Sequence, residues 1–217
     1  MGHRFAEIAF TPAVKAVQEA QGSRAGYVRF EEGEAHHDRL GPAEAAFISA
    51  RDAFYMATVS QTGWPYVQHR GGPPGFLRVL DERCIAFADF RGNRQYVSVG
   101  NLVPDDRVVL ILMDYANRRR LKLLGRARVV AADGGADGGA DGDAALMRRL
   151  ELPDYRARVE RAVVVTVEAF DWNCPQHITP RFTAAETAAV VAPLQARITE
   201  LEAEVAALRG LKASHST

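Results

Sequence analysis

Apolar runs of strand length, cut by turn residues, fill the middle of the chain. They lie at Phe54–Ser60, Tyr66–Arg70, Phe76–Leu80, Cys84–Asp89, Val108–Asp114, Leu121–Val130 and Arg161–Ala169. Gln61-Thr62-Gly63-Trp64-Pro65 predicts a tight turn joining the first two into a hairpin, and Tyr115–Arg120 joins another pair. Gly71-Gly72-Pro73-Pro74-Gly75 is too rich in glycine and proline to sit inside a strand. Arg161–Ala169 has lost the polar/apolar alternation, which fits a buried strand. Strands at this close spacing predict an antiparallel barrel, in which closure removes exposed edges.

Helical patterns flank these runs. Thr11-Pro12 opens a helix that Gly22 ends, and Gly41-Pro42 precedes a second one carrying Phe47 inward. His36-His37 falls in a polar stretch and predicts a solvated loop, with metal binding as the minor alternative. After Ala184 the period changes. Leu194, Ile198, Leu201, Val205 and Leu208 are spaced as a heptad seam. Two readings stay open for this helix: it lies on its own barrel, or it pairs with a second copy. Between the last two strands, residues 133–143 read DGGADGGADGD, which cannot bury apolar surface and predicts a mobile loop. The regular ligand spacing of a calcium loop is missing from it. The pattern divides the chain into a helical and irregular extension over 1–44, a barrel domain over 45–182 and an amphipathic helix over 183–213.

Composition narrows the partners. The 217 residues carry 27 basic and 27 acidic side chains, so bulk charge predicts no nucleic-acid partner. Two cysteines build neither a disulfide framework nor a thiolate metal cluster, and no metal site is expected. The opening residues lack the pattern of a signal peptide, and no apolar run is long enough to span a membrane. A cytoplasmic protein without membrane contact is the expectation.

Candidate chemistry gathers at the strand ends. Arg91-Gly92-Asn93-Arg94-Gln95 offers guanidinium forks, amides and a permissive glycine, the donors that phosphate recognition needs. Arg70 precedes two glycines and reaches the same place if its strand is a neighbour. The competing reading is a set of arginines decorating a barrel rim. No Walker-type loop and no dinucleotide glycine fingerprint is present. Asp171-Trp172-Asn173-Cys174-Pro175-Gln176-His177 places indole, thiol and imidazole close together. Trp172 stacking on a planar ligand is favoured there over Cys174 acting as a nucleophile, or over zinc held by Cys174, His177 and His69.

These motifs, FADFRGNRQY and EAFDWNCPQHITPR above all, resemble the pyridoxamine-phosphate-oxidase-like flavin-binding proteins, over roughly Phe47 to Phe182. The resemblance implies a mainly β fold with flanking helices, a six-stranded antiparallel FMN-binding split barrel. It also implies a homodimer with FMN at the interface. Val67, Gln68, His69 and Arg70 match the strand that lines the cofactor. The family's phosphate motif matches Phe87, Ala88, Asp89 and the loop after them. Its serine, arginine and lysine fall on Gly92, Asn93 and Arg94, so that Arg91 or Gln95 must compensate for lost charge. Arg120, with Lys122 near it, takes the place of a glutamine, while Trp172 and Arg181 match a late tryptophan and arginine.

The family's C-terminal arginine–histidine segment, which holds the pyridoxal-phosphate product, is replaced here by the heptad helix. Oxidation of pyridoxamine phosphate is therefore not implied. What is implied is an FMN-dependent oxidoreductase with an unidentified small-molecule substrate and electron donor. The alternatives are a non-catalytic flavin-storage protein and an interaction protein with an empty site; some relatives take a deazaflavin instead. The sequence singles out no catalytic residue.

Overall fold

The computed structural model describes residues 2–33, 36–131, 141–172 and 174–214, and two compact units emerge. The first comprises residues up to Asp114 together with Arg119–Gln176. The second comprises Tyr115–Arg118 and the residues from His177 onward.

The first unit opens with three short helices, α1 (Arg4–Ala9), α2 (Pro12–Ala20) and α3 (Arg24–Glu31), followed by α4 (Pro42–Ser49). Pro12 at the first turn of α2 and the Thr11 hydroxyl accepting the Val14 N–H account for that helix start. Seven strands then follow: β1 (Ala53–Val59), β2 (Pro65–Gly71), β3 (Leu77–Asp81), β4 (Cys84–Phe90), β5 (Arg107–Asp114), β6 (Arg119–Ala131) and β7 (Val159–Trp172). Two further helices are inserted, α5 (Val97–Asn101) after β4 and α6 (Asp141–Leu150) after β6.

All seven strands form one antiparallel sheet in the order β2-β1-β5-β6-β7-β4-β3. The count is seven where the resemblance implied six. The edges are β2, which pairs only with β1, and β3, which pairs only with β4. The sheet curls so that β2, at one end, faces β4 near the other. Phe54 on β1 meets Phe87 on β4 with ring centroids 5.0 Å apart, and Phe76 lies 5.7 Å from Phe54 on its other side. Phe54, Met56, Leu110, Leu112, Leu121 and Leu123 alternate inward along β1, β5 and β6 and fill the core.

β4 and β7 are buried on both faces. Val163, Val165 and Val167 face the barrel core, while Ala162 and Val164 face a second apolar cluster with Leu146 and Leu150 of α6. That double burial is why the sequence of β7 shows no alternation. Gly125 marks a register shift where β6 meets β7: a Cβ there would sit 2.4 Å from the Thr166 carbonyl oxygen, so only glycine fits.

The N-terminal segment differs from its sequence reading in one respect. His37 is not a solvated loop residue. Its ring stacks on His3 at 4.2 Å and 11°, and tilts against Phe170 of β7 at 5.0 Å, while His3 also stacks on Phe30. Phe5 of α1 lies under the Lys122 ammonium on the outer face of the sheet. Aromatic residues scattered over residues 3–37 thus make a small cluster that no local period reveals. Of the loop expected over 133–143, residues 133–140 lie outside the described residues, and the last three belong to α6.

In the second unit, α7 (Ala184–Ser214) begins with a capping box in which Thr183 and Glu186 exchange hydrogen bonds. No helix among the described residues is long and apolar enough to cross a membrane.

Candidate functional site

Inward-pointing positions on β2 should be apolar in a closed barrel, but here they are Tyr66, Gln68 and Arg70, paired with Thr58, Met56 and Phe54 of β1. The opposing inward positions of β4 run from Phe87 to Asp89. A polar seam therefore separates β2 from β4. The Arg70 guanidinium donates to the Asp89 carboxylate across it, and Arg161 approaches the other Asp89 oxygen at 3.6 Å. Arg161 stands opposite Asp89 because β4 and β7 pair in that register. All three side chains are nearly buried. Burial raises the Asp89 pKa, and Arg70 and Arg161 only partly offset that effect.

The seam opens into a cavity of about 220 Å³. Gln68 and Arg70 line it from β2, Asp89 and Phe90 from β4, and Gly92, Asn93 and Arg94 from the loop that follows. Tyr96, Ser98 and Val99 close it from α5 and its approach, and Glu160 from β7. The loop is held locally: the Asn93 side-chain oxygen accepts the Gln95 N–H at 3.2 Å, and Arg91 N–H bonds the Arg158 carbonyl at 2.9 Å. Arg94 and Tyr96 both adopt left-handed backbone, with φ of 62° and 54°. Strained non-glycine residues of this kind concentrate at ligand sites. Arg94 Nε donates to the Tyr96 hydroxyl at 3.3 Å, the hydroxyl donates to Glu160 at 3.2 Å, and the Arg161 guanidinium covers the Tyr96 ring at 4.7 Å. Ser98 Oγ donates to Gln68 Oε1 at 2.7 Å, which ties α5 to β2.

The donor set suits an anion. Arg70, Arg91, Arg94 and Arg161 bring four guanidinium groups to this end of the barrel, against the two carboxylates of Asp89 and Glu160. Arg70 Nε is buried without a hydrogen-bond partner, behind the cavity surface. The volume is small beside the ~300–1,000 Å³ of ordinary ligand pockets. Its mouth is open, and its lining is mostly polar.

The sequence-derived candidates separate into groups. Gln68, Arg70, Asp89, Asn93 and Arg94 meet in the cavity, with Arg91 and Gln95 in the same loop. Phe87 lies in the core, and the Arg70 guanidinium stands 5.9 Å from its ring. Ala88 faces the other way, into the cluster under α6. Val67 and His69 point from the outer face of β2. Strand pairing puts His69, Tyr55, Ile111, Lys122 and Asp171 in one row across that outer face. Arg120 shares the face with Lys122 and has a buried, unpartnered Nε.

Trp172 serves α4: its Nε1–H donates to Glu44 at 2.7 Å, and its ring meets Phe47 at 4.8 Å. In the second unit the Arg181 guanidinium lies 4.9 Å over Tyr115. Cys174 is exposed, with its sulfur accepting the Gln176 N–H, and Asn173 lies outside the described residues. No group of three or more metal-ligating side chains occurs among the described residues.

Sequence reading missed Tyr96, Ser98, Glu160 and Arg161. Glu160 and Arg161 sit at the start of a strand that reads as pure core, and only its register against β4 brings them to the cavity.

The curled antiparallel sheet with a polar seam defines a split barrel. Residues 40–170 match the family described as Pyridoxamine 5'-phosphate oxidase, and the chain belongs to that family. Comparison with curated proteins gives no match. Among solved structures, an FMN-binding protein of Syntrophomonas wolfei is similar with a TM-score of 0.44 at 10% identity, over 73% of this chain and 97% of that one. HupZ of Group A Streptococcus has a TM-score of 0.43 at 11% identity, over 66% and 100%. General Stress Protein 26 of Bacillus anthracis has a TM-score of 0.38 at 14% identity, over 64% and 92%.

Proposed function

We propose that this chain binds FMN as a homodimer, with the phosphate in the seam between β2 and β4, and that it uses the flavin for electron transfer. The observation that carries the proposal is the guanidinium-lined cavity, found in a member of this family. FMN, when bound, supplies reversible one- and two-electron transfer. The protein's part is to hold it. Arg94 and Arg91 neutralise the phosphate from the loop, Arg70 adds positive charge from β2, and Asn93 and Ser98 add neutral donors. Asp89 fixes Arg70 and Arg161 in place.

In this reading the ring system extends from the open mouth of the cavity. The outer face of the sheet supplies the reason for a dimer. Tyr55, Val67 and Val109 are exposed there, and next to them an apolar hollow of about 380 Å³ runs between Ile8 of α1, Ala57 of β1 and Leu124 of β6. An apolar surface of this kind is what a partner covers. Val67, His69, Arg120 and Lys122 lie on this face, so pairing of two copies brings them to the ligand from the side that one chain leaves open.

The test is a titration of FMN and riboflavin against Arg94→Ala and the unaltered protein. Hydrogen bonds to charged groups are worth about 1.5–3 kcal/mol, so FMN binding should weaken roughly ten- to a hundredfold while riboflavin binding barely changes. Equal losses for the two ligands would mean that Arg94 supports the loop rather than the phosphate. Electron transfer is checked separately, by bleaching of the flavin's visible absorbance with a reduced nicotinamide donor. Tight binding without bleaching by any donor would leave a flavin-storage role.

A further inference from the structure

Every described side chain of α7 is exposed, although the helix is 31 residues long. Its apolar residues are not scattered. Val191, Ile198 and Val205 recur every seven residues, and Leu194, Leu201 and Leu208 recur every seven in the other seam position. Their exposures run from 37% at Val191 to 60% at Leu208, so a continuous apolar stripe faces solvent. A lone helix gains nothing from such a stripe.

We propose that α7 is a pairing helix for a second copy of this chain, forming a parallel, in-register two-stranded coiled coil. Two features of the sequence on the helix select this occupant. First, β-branched residues fill one seam position and leucine the other, the arrangement that favours two parallel strands over trimers or tetramers. Second, the residues flanking the seam are complementary to themselves. In a parallel pair, Arg197 of one helix lies beside the partner's Glu202, and Glu204 lies beside the partner's Arg209. Each contact occurs twice by symmetry. The intrahelical pair of Arg197 with Glu200, at 2.9 Å, is exposed and gives way at little cost.

Pro193 falls on the outer side of the helix, away from the seam, and interrupts the hydrogen bonding there. The uninterrupted part, Leu194–Ser214, is three heptads and about 31 Å long. That length is marginal for a free coiled coil. Contact between two barrels would raise the effective concentration of the helices and let so short a seam form. The proposal does not depend on flavin binding.

The experiment is thiol cross-linking of the full-length chain, with Cys84→Ala and Cys174→Ser as background and oxidised glutathione as oxidant. Leu208→Cys places a thiol in the seam, and Ala203→Cys places one on the outer side. The parallel pair predicts that Leu208→Cys gives covalent dimer at least about tenfold faster than Ala203→Cys. Adding Arg197→Glu should slow the Leu208→Cys reaction about fivefold, and adding Glu202→Arg as well should restore it. Equal rates for the two thiols, or insensitivity to the charge swap, would overturn the proposal. An antiparallel pair would hold the Leu208→Cys thiols far apart, and that result would overturn it too. Sedimentation of Arg197→Glu separates the two contacts: a dimer that survives rests on the barrel face, whatever the helices do.

Discussion

The residue that best shows how this site is made is Arg70. It stands at an inward position of β2 where a barrel wants an apolar side chain, and the Asp89 carboxylate makes that position tenable. Asp89 is itself raised in pKa, chiefly by burial. Arg70→Met would leave Asp89 with Arg161 alone at 3.6 Å. Breaking a buried pair from one side costs about 3–5 kcal/mol, and urea unfolding at neutral pH should show that loss. The loss should shrink as the pH falls and Asp89 takes up a proton; an undiminished loss under acid would mean that packing, not charge, is at stake.

His3 offers a second test. Burial, then His37, lowers its pKa from 6.5 to about 4. The unfolded chain therefore binds a proton at His3 over a range where the folded chain does not. Stability should be full above pH 6.5 and fall progressively between 6.5 and about 4, then level off as far as this group is concerned. His3→Phe should flatten that part of the pH profile, and an unchanged slope would contradict the assignment.

At the scale of elements, the strands and their hairpin neighbours were legible in the sequence, and the pairings between strands distant in the chain were not. Apolar runs cut by turn residues placed the strands, and the glycine- and proline-rich stretch 71–75 broke the chain where the structure breaks it. Alternation cannot tell which strand lies beside which. The pairing of Asp89 with Arg161 is a matter of register between strands some 70 residues apart, and that register creates half of the cavity. The loop from Arg91 to Gln95 was legible because its chemistry is local. Tyr96 and Ser98 were not, since their roles depend on contacts with Glu160 and Gln68. The three N-terminal helices were only partly legible, because stacked histidines and phenylalanines leave no period to read. The core of the curl turns on Phe54, which is fully buried between Phe76 and Phe87. Phe54→Ala should cost about 3–5 kcal/mol in thermal or urea unfolding, and a loss below about 1 kcal/mol would mean that the curl does not depend on this ring.

At the scale of the whole molecule, the proposed binding of a dianion by a neutral chain rests on local geometry, because a net charge of zero supplies no general attraction. In the proposed function the seam between β2 and β4 takes the phosphate, and a partner's surface takes the ring system. A charge on the outer sheet face, Val67→Asp, should shift the chain toward monomer in sedimentation at micromolar protein and weaken FMN binding with it. A full-strength FMN site on a monomer would refute the shared-site view.

The most direct measurement is an equilibrium titration of the purified chain with FMN and with riboflavin, followed by quenching of flavin fluorescence. The guanidinium seam predicts one FMN per chain, bound at least about tenfold more tightly than riboflavin, because only FMN carries the phosphate that the arginines hold. Equal affinity for the two flavins, or no binding of either, would contradict it.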